Sequence, residues 1–236
     1  MRNEITCGIN DAMMPHVILE DRDEKMIAII DYDAGNLKSV EKAFQKLGEE
    51  AVITSDFHAI LHADKIILPG VGAFGTAMEQ LKKRELDRVI KEAAERKIPL
   101  LGICLGLQLL FDGSEENGGA EGLGILKGRI VKIPEAEGLK IPHVGWNLLT
   151  LQNHGRLFQK MPEQPYVYFV HSYYLKAEDE TIVKAVTEYG VTIHAAVEWE
   201  NVSACQFHPE KSSTVGLQIL QNFCAWQPGR SREATA

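Results

Sequence analysis

The sequence predicts an α/β protein: a central, mostly parallel sheet flanked by helices, with an additional antiparallel or mixed strand section in the C-terminal half. Three observations carry this expectation. Apolar runs alternate with amphipathic stretches from Met26 to Phe111, the pattern of strands joined by helical crossovers. The runs Met26-Ile-Ala-Ile-Ile30 and Lys65-Ile-Ile-Leu68 are almost unbroken in their apolarity, as strands buried on both faces are. Beyond the glycine- and glutamate-rich stretch from Asp112 to Gly124, the period changes to short β-rich runs punctuated by turn residues.

Residues 1–25 show no periodicity and include the charge run Glu20-Asp-Arg-Asp-Glu-Lys25. They are expected to be an N-terminal extension, poorly ordered or dispensable, with Met26 as an alternative natural start. Val17-Ile-Leu19 is too short for the apolar core of a secretion signal. The first strand is expected at Met26 to Asp31. Asn36 to Leu47 follows as an amphipathic helix, with Leu37, Val40, Phe44 and Leu47 on one stripe and Gly48 closing it. Ala51 to Thr54 and Lys65 to Leu68 read as the second and third strands, and Thr76 to Arg96 as one long charge-rich helix. The fourth strand, Ile98 to Ile103, runs into Cys104, and an apolar helix starts at Leu105.

In the second half, strands are expected at Arg129 to Ile133, Tyr166 to Val170, Ile182 to Val186, Thr192 to Trp199 and Val202 to Phe207. Tyr189-Gly190 and Glu200-Asn201 read as hairpin turns. A helix from Thr214 to Trp226 closes the domain, which therefore spans 26–226, and 227–236 reads as a polar tail.

At 236 residues the chain is long enough to bury a full core. A net charge of -8 and the lack of any basic run argue against nucleic-acid binding. No apolar run has the length that crosses a bilayer. Cys7, Cys104, Cys205 and Cys224 are scattered without a C-x-x-C pair, a usage that suits a reducing cytosol.

Gly102-x-Cys104-x-Gly106 has the form of a nucleophile elbow with cysteine in place of serine. A side chain thrust up from a sharp strand-to-helix turn requires glycine-sized neighbours, and the helix N-terminus beneath it favours thiolate over thiol. The amide of Leu105 points at the same spot and could donate to an oxyanion. Gln108, one turn on, shares that face. A buried structural cysteine is the competing reading of this pattern taken alone. Pro69-Gly-Val-Gly72 follows the third strand, beside the expected end of the Cys104 strand. Gly72 allows the Val71-Gly72 peptide to flip, offering a second half of an oxyanion hole; a plain strand-to-helix turn is the alternative. His208-Pro209-Glu210 ends the last strand and supplies a base and its orienting carboxylate. The other histidines (His16, His58, His62, His143, His154, His171 and His194) have no metal-ligand spacing, so no metal is expected.

Gly102-Ile-Cys104-Leu-Gly-Leu-Gln108 with His208-Pro-Glu210 resembles the class I, or triad, glutamine amidotransferase family, whose fold is flavodoxin-like. Within it, Asp31-Tyr-Asp-Ala-Gly-Asn36, Pro69-Gly-Val-Gly72, Ile141-Pro-His-Val-Gly-Trp-Asn147, His171-Ser-Tyr173 and His208-Pro-Glu-Lys-Ser212 are similar to the HisH branch, the glutaminase subunits of imidazole glycerol phosphate synthase. The resemblance covers about Met26 to Trp226. It implies a catalytic triad of Cys104, His208 and Glu210, and an oxyanion hole from Leu105, Val71 and Gly72. It further implies substrate contacts from Gln108, Ser172 and Tyr173, and partner contacts from Trp146, Asn147 and Lys211. No cofactor is implied. The chain would hydrolyse L-glutamine through a cysteine thioester in the cytoplasm. As half of a heterodimer it would pass ammonia to a (β/α)8-barrel cyclase, HisF, which forms imidazole glycerol phosphate and AICAR from PRFAR. Asp33 and Leu107 depart from the glycine and methionine expected at those positions. Another triad amidotransferase, feeding anthranilate, pyridoxal phosphate or purine synthesis, and a non-catalytic binding protein on the same fold are the alternatives.

Overall fold

A computed structural model describes residues 26–33, 36–153 and 155–227; the expected N-terminal extension (1–25) and nearly all of the polar tail lie outside them. The first half runs β1 (Met26–Ile30), α1 (Leu37–Lys46), β2 (Glu50–Thr54), α2 (Phe57–Leu61), β3 (Lys65–Leu68), α3 (Phe74–Lys83), α4 (Leu86–Glu95), β4 (Leu100–Ile103) and α5 (Leu105–Leu109). The second half runs β5 (Gly113–Ser114), β6 (Ala120–Glu121), β7 (Gly128–Lys132), β8 (His143–Leu148), β9 (Thr150–Leu151), β10 (Tyr166–His171), β11 (Tyr173–Ala177), β12 (Val183–Glu188), β13 (Thr192–Trp199), β14 (Val202–Cys205) and α6 (Ser213–Ala225).

One sheet of eight strands, in the order β2-β1-β3-β4-β14-β13-β12-β9, forms the spine. The ladder from β2 to β14 is parallel, and from β14 outward it is antiparallel. The apolar runs are continuous because both faces are covered. Ile27 and Ile29 of β1 pack in one cluster with Val40 and Phe44 of α1 and Phe223 of α6. Ala28 and Ile30 pack in another with Leu81 of α3 and Ile90 of α4. Two smaller sheets, β10-β8 and β11-β7-β5-β6, complete the second half.

The expected single helix over Thr76 to Arg96 is instead two. Glu85 takes a left-handed φ of 57° between α3 and α4. Leu81 and Leu86, buried in the two helices, are separated by about 140° around a continuous helix; the break lets each bury its own stripe. Helix α2 was not foreseen, although Asp56 caps it by accepting from the Ala59 amide at 2.7 Å. Strand β8 was not among the expected strands; Trp146 lies on it, paired with Tyr168 of β10. Strands β8 and β11 escape apolar patterning because each is partly exposed. Asp33, where glycine was expected, adopts φ 65° and pairs with Arg84, so the turn is made in the region a glycine would use.

Candidate active site

Strands β3, β4 and β14 are consecutive parallel neighbours, and their carboxyl ends meet at one edge of the sheet, the place where open α/β sheets carry their ligands. β3 delivers the Pro69–Gly72 loop, β4 delivers Cys104, and β14 leads through Gln206 and Phe207 to His208. The register Cys205 to Ile103 sets the two later strands side by side.

Cys104 has φ 54° and ψ -109°, a conformation that costs a non-glycine residue on the order of 1–3 kcal/mol and is held only where its surroundings require it. Its amide donates to the Cys205 carbonyl at 2.8 Å. A Cβ on Gly102 would come within 2.9 Å of the Gly106 oxygen, which is why the elbow needs glycine there. The next residue, Leu105, begins α5, so its amide has no acceptor within the helix.

The loop after β3 is fixed at its start. Buried Tyr32 donates its hydroxyl to the Pro69 carbonyl at 2.8 Å. Burial, followed by the charge at Cys104, pushes its pKa up, keeping it a neutral donor. At Gly72 the backbone opens: φ is +95° and no atom lies within 4 Å of a Cβ built there. Val71, beside it, is exposed.

His208 and Glu210 form a dry pair. Nδ1 and Oε1 are 2.8 Å apart, and the two side chains are 3% and 2% exposed. Pro209 starts the 3-10 turn that carries Glu210 back to the ring. Burial by itself lowers the His208 pKa, but interactions with Cys104 and with Glu210 reverse that and raise it to about 9. Nε2 of His208 has no hydrogen-bond partner, which leaves that nitrogen free to exchange a proton with a reacting group.

A crevice of about 440 Å³ stands over these groups. Every site residue expected from sequence lines it except Glu210, Trp146 and Asn147. Glu210 lies behind His208. Trp146 and Asn147 lie on β8 and point to opposite sides of the strand. Trp146 is exposed, whereas the Asn147 side chain is held by the Glu188 carbonyl and the Leu148 amide. Lys211 is exposed at the crevice edge.

Three groups were not singled out from sequence. Gln206, fully buried, donates Nε2 to the Cys104 sulfur at 3.7 Å. It is the amide side chain that follows β14, a strand of small and apolar residues, and that contrast is legible in the sequence. Glu116 lines the crevice and accepts from the Phe74 amide at 2.8 Å; nothing in sequence separates it from the neighbouring glutamates. His171, also in the lining, contacts His143 at 3.2 Å. Burial lowers the pKa of both imidazoles to about 4. Among the described residues no cluster of three or more His, Cys, Asp or Glu could hold a metal ion.

Residues 28–226 match the family model described as glutamine amidotransferase class-I. The chain is 51% identical over 201 residues to an imidazole glycerol phosphate synthase subunit HisH of Thermosynechococcus vestitus, covering 84% of this chain and 96% of the relative. To the protein of the same description from Bacillus cereus it is 49% identical over 209 residues, covering 87% and 99%. A chain in the structure of PurLQS from Thermotoga maritima shares the fold at 21% identity, with a TM-score of 0.67 over 85% of this chain and 98% of that one.

Proposed function

Because this chain belongs to the class-I glutamine amidotransferase family, among the HisH subunits of imidazole glycerol phosphate synthase, we propose that Cys104, His208 and Glu210 are the triad with which it hydrolyses L-glutamine for histidine biosynthesis. The observation that carries the residue assignment is the dry His208–Glu210 pair, delivered by the strand next to the one that ends in Cys104.

The Cys104 thiolate attacks the side-chain carboxamide carbon of glutamine, and the carbonyl oxygen becomes an oxyanion. The Leu105 amide, with the Val71–Gly72 peptide once it turns inward, donates to that oxygen. Imidazolium His208, held by Glu210, gives its Nε2 proton to the departing nitrogen; the C–N bond breaks and ammonia leaves a glutamyl thioester. Neutral His208 then takes a proton from water, the resulting hydroxide attacks the thioester, and expulsion of the thiolate releases glutamate. Gln108, Ser172 and Tyr173 hold the substrate, and the Glu116 carboxylate faces its α-ammonium group.

The ammonia passes to a cyclase subunit, HisF, whose lyase chemistry closes the imidazole ring. Support for that docking comes from one face of the β8–β10 ribbon: Val144, Trp146, Tyr166 and Val170 are all exposed on it, and Val170 also lines the crevice. Aromatic and apolar side chains of this kind anchor interfaces. Lys211 completes the contact at the edge. The oxyanion peptide turns inward on docking, so the isolated chain is nearly idle. Among the described residues no helix is long and apolar enough to cross a membrane, and the cytoplasm is the proposed location. The test is Cys104→Ala in the assembled enzyme: glutamine-dependent synthesis is lost while ammonium salts still support the cyclase. Glutamine-dependent synthesis that survives the substitution would refute the triad.

A further inference from the structure

A line of amide groups runs from the mouth of the crevice to the nucleophile. Gln108 uses Nε2 twice, donating to the Tyr173 carbonyl at 3.0 Å and to Gln206 Oε1 at 2.9 Å. Gln206 in turn donates Nε2 to Cys104 Sγ at 3.7 Å. Both amides are at most 5% exposed, so water is a poor substitute for any of these partners.

The direction of this line is dictated at one end. A backbone carbonyl only accepts, so Gln108 must present its NH2 group to Tyr173. Turning the Gln108 amide over would set two oxygens against each other. With its NH2 group placed, Gln108 offers a donor to Gln206, and Gln206 must answer with its oxygen. The Gln206 NH2 group is then forced toward the sulfur. A thiolate accepts that donor fully, whereas a thiol accepts it only weakly. The same counting leaves the Gln108 carbonyl oxygen as the atom that can receive a donor from bound substrate.

We infer that Gln206 is a positioning residue for the known reaction: the Tyr173 carbonyl, acting through Gln108 and Gln206, polarises a two-amide chain that ends in a donor at Cys104 and holds the resting nucleophile as thiolate. The inference deepens the triad reading and rests on Cys104 being the nucleophile. It also makes substrate holding and nucleophile charge two ends of one hydrogen-bond chain.

The test is the pH dependence of iodoacetamide alkylation in the full chain, read by mass spectrometry on the peptide that contains Cys104. Gln206→Met, which keeps the length but cannot donate and adds no charge, should raise the alkylation midpoint by about one pH unit, equivalent to about tenfold less thiolate below the midpoint. A midpoint unmoved in a folded variant overturns the inference; a purely space-filling Gln206 would lower the melting temperature and leave the midpoint in place. Side-chain amide resonances of Gln206 in the unaltered protein give a second measurement that needs no substitution. They should shift with the alkylation midpoint, and resonances that stay fixed across it overturn the inference equally. In the same experiment, an unaltered chain in which Cys104 alkylates no faster than buried Cys224 would count against Cys104 as nucleophile, a distinct failure.

Discussion

Gly106 is seated against the carbonyl oxygen of Leu68 so closely that a Cβ at position 106 would lie 1.8 Å from it. The helix that follows Cys104 and the end of β3 are therefore in backbone contact, with no side chain able to yield between them. Gly106→Ala should destabilise the protein by about 2 kcal/mol or more, the scale of overpacking a filled interior. For a domain of this size that is a fall in melting temperature of about 4–8 °C. Calorimetry checks it, and an unchanged melting temperature would mean that the contact is soft.

Glu210→Gln retains the size of the group but removes the charge that holds His208 as imidazolium. Glutamine hydrolysis by the assembled enzyme should fall by about 10²–10⁴-fold, with the KM for glutamine little changed. Steady-state kinetics separates this outcome from a folding defect.

The same pair makes a statement about stability and pH. His208 is held at about 9 in the folded chain, above the ordinary value of about 6.5. Its contribution is complete below about pH 6.5 and is lost as pH rises through 9. Urea unfolding at pH 6.5 and 9 should show that decline, and the decline should shrink in Glu210→Gln.

His143 and His171 act on the opposite limb. Both are held at about 4, so the unfolded chain takes up protons that the folded chain refuses between about pH 6.5 and 4, and stability falls with pH across that window. His143→Phe, which can keep the stacking on Phe169 and Tyr189, should reduce the difference in unfolding free energy between pH 4.5 and 7. An undiminished difference would place the acid sensitivity elsewhere.

Trp146 is 53% exposed, and its aromatic contact within the chain is an edge approach to Tyr168. Trp146→Ala should leave the melting temperature of the isolated chain unchanged while weakening cyclase binding by about 30-fold, the scale of an interface anchor worth about 2 kcal/mol. Isothermal titration calorimetry with the cyclase reads this directly.

The parallel half was legible because its strands, buried on both faces, write themselves as unbroken apolar runs, and because Gly102 and Gly106 have steric reasons that can be stated without coordinates. The break at Glu85 was harder to see: both halves of the stretch are good helix, and only the phase slip between Leu81 and Leu86 marks the turn. Half-exposed strands such as β8 and β11 leave no clean period in sequence. Within the site, single residues with distinctive chemistry stood out, whereas Gln206 and Glu116 acquire meaning only from what they face. Gln206 could have been found by asking why an otherwise apolar strand carries an amide at its end.

Strand β14 returns the chain to the immediate neighbour of β4. Much of the chain between Ile103 and Val202, the two smaller sheets included, is therefore an excursion from the spine, while β13, β12 and β9 extend its antiparallel edge. The spacing of Cys104 and His208 is set by the backbone ladder between β4 and β14. The β8–β10 ribbon is tied to the same frame, because the Tyr168 carbonyl accepts from the His208 amide at 2.9 Å. A ribbon grafted from another protein would have to bring that carbonyl with it to keep the imidazole in place.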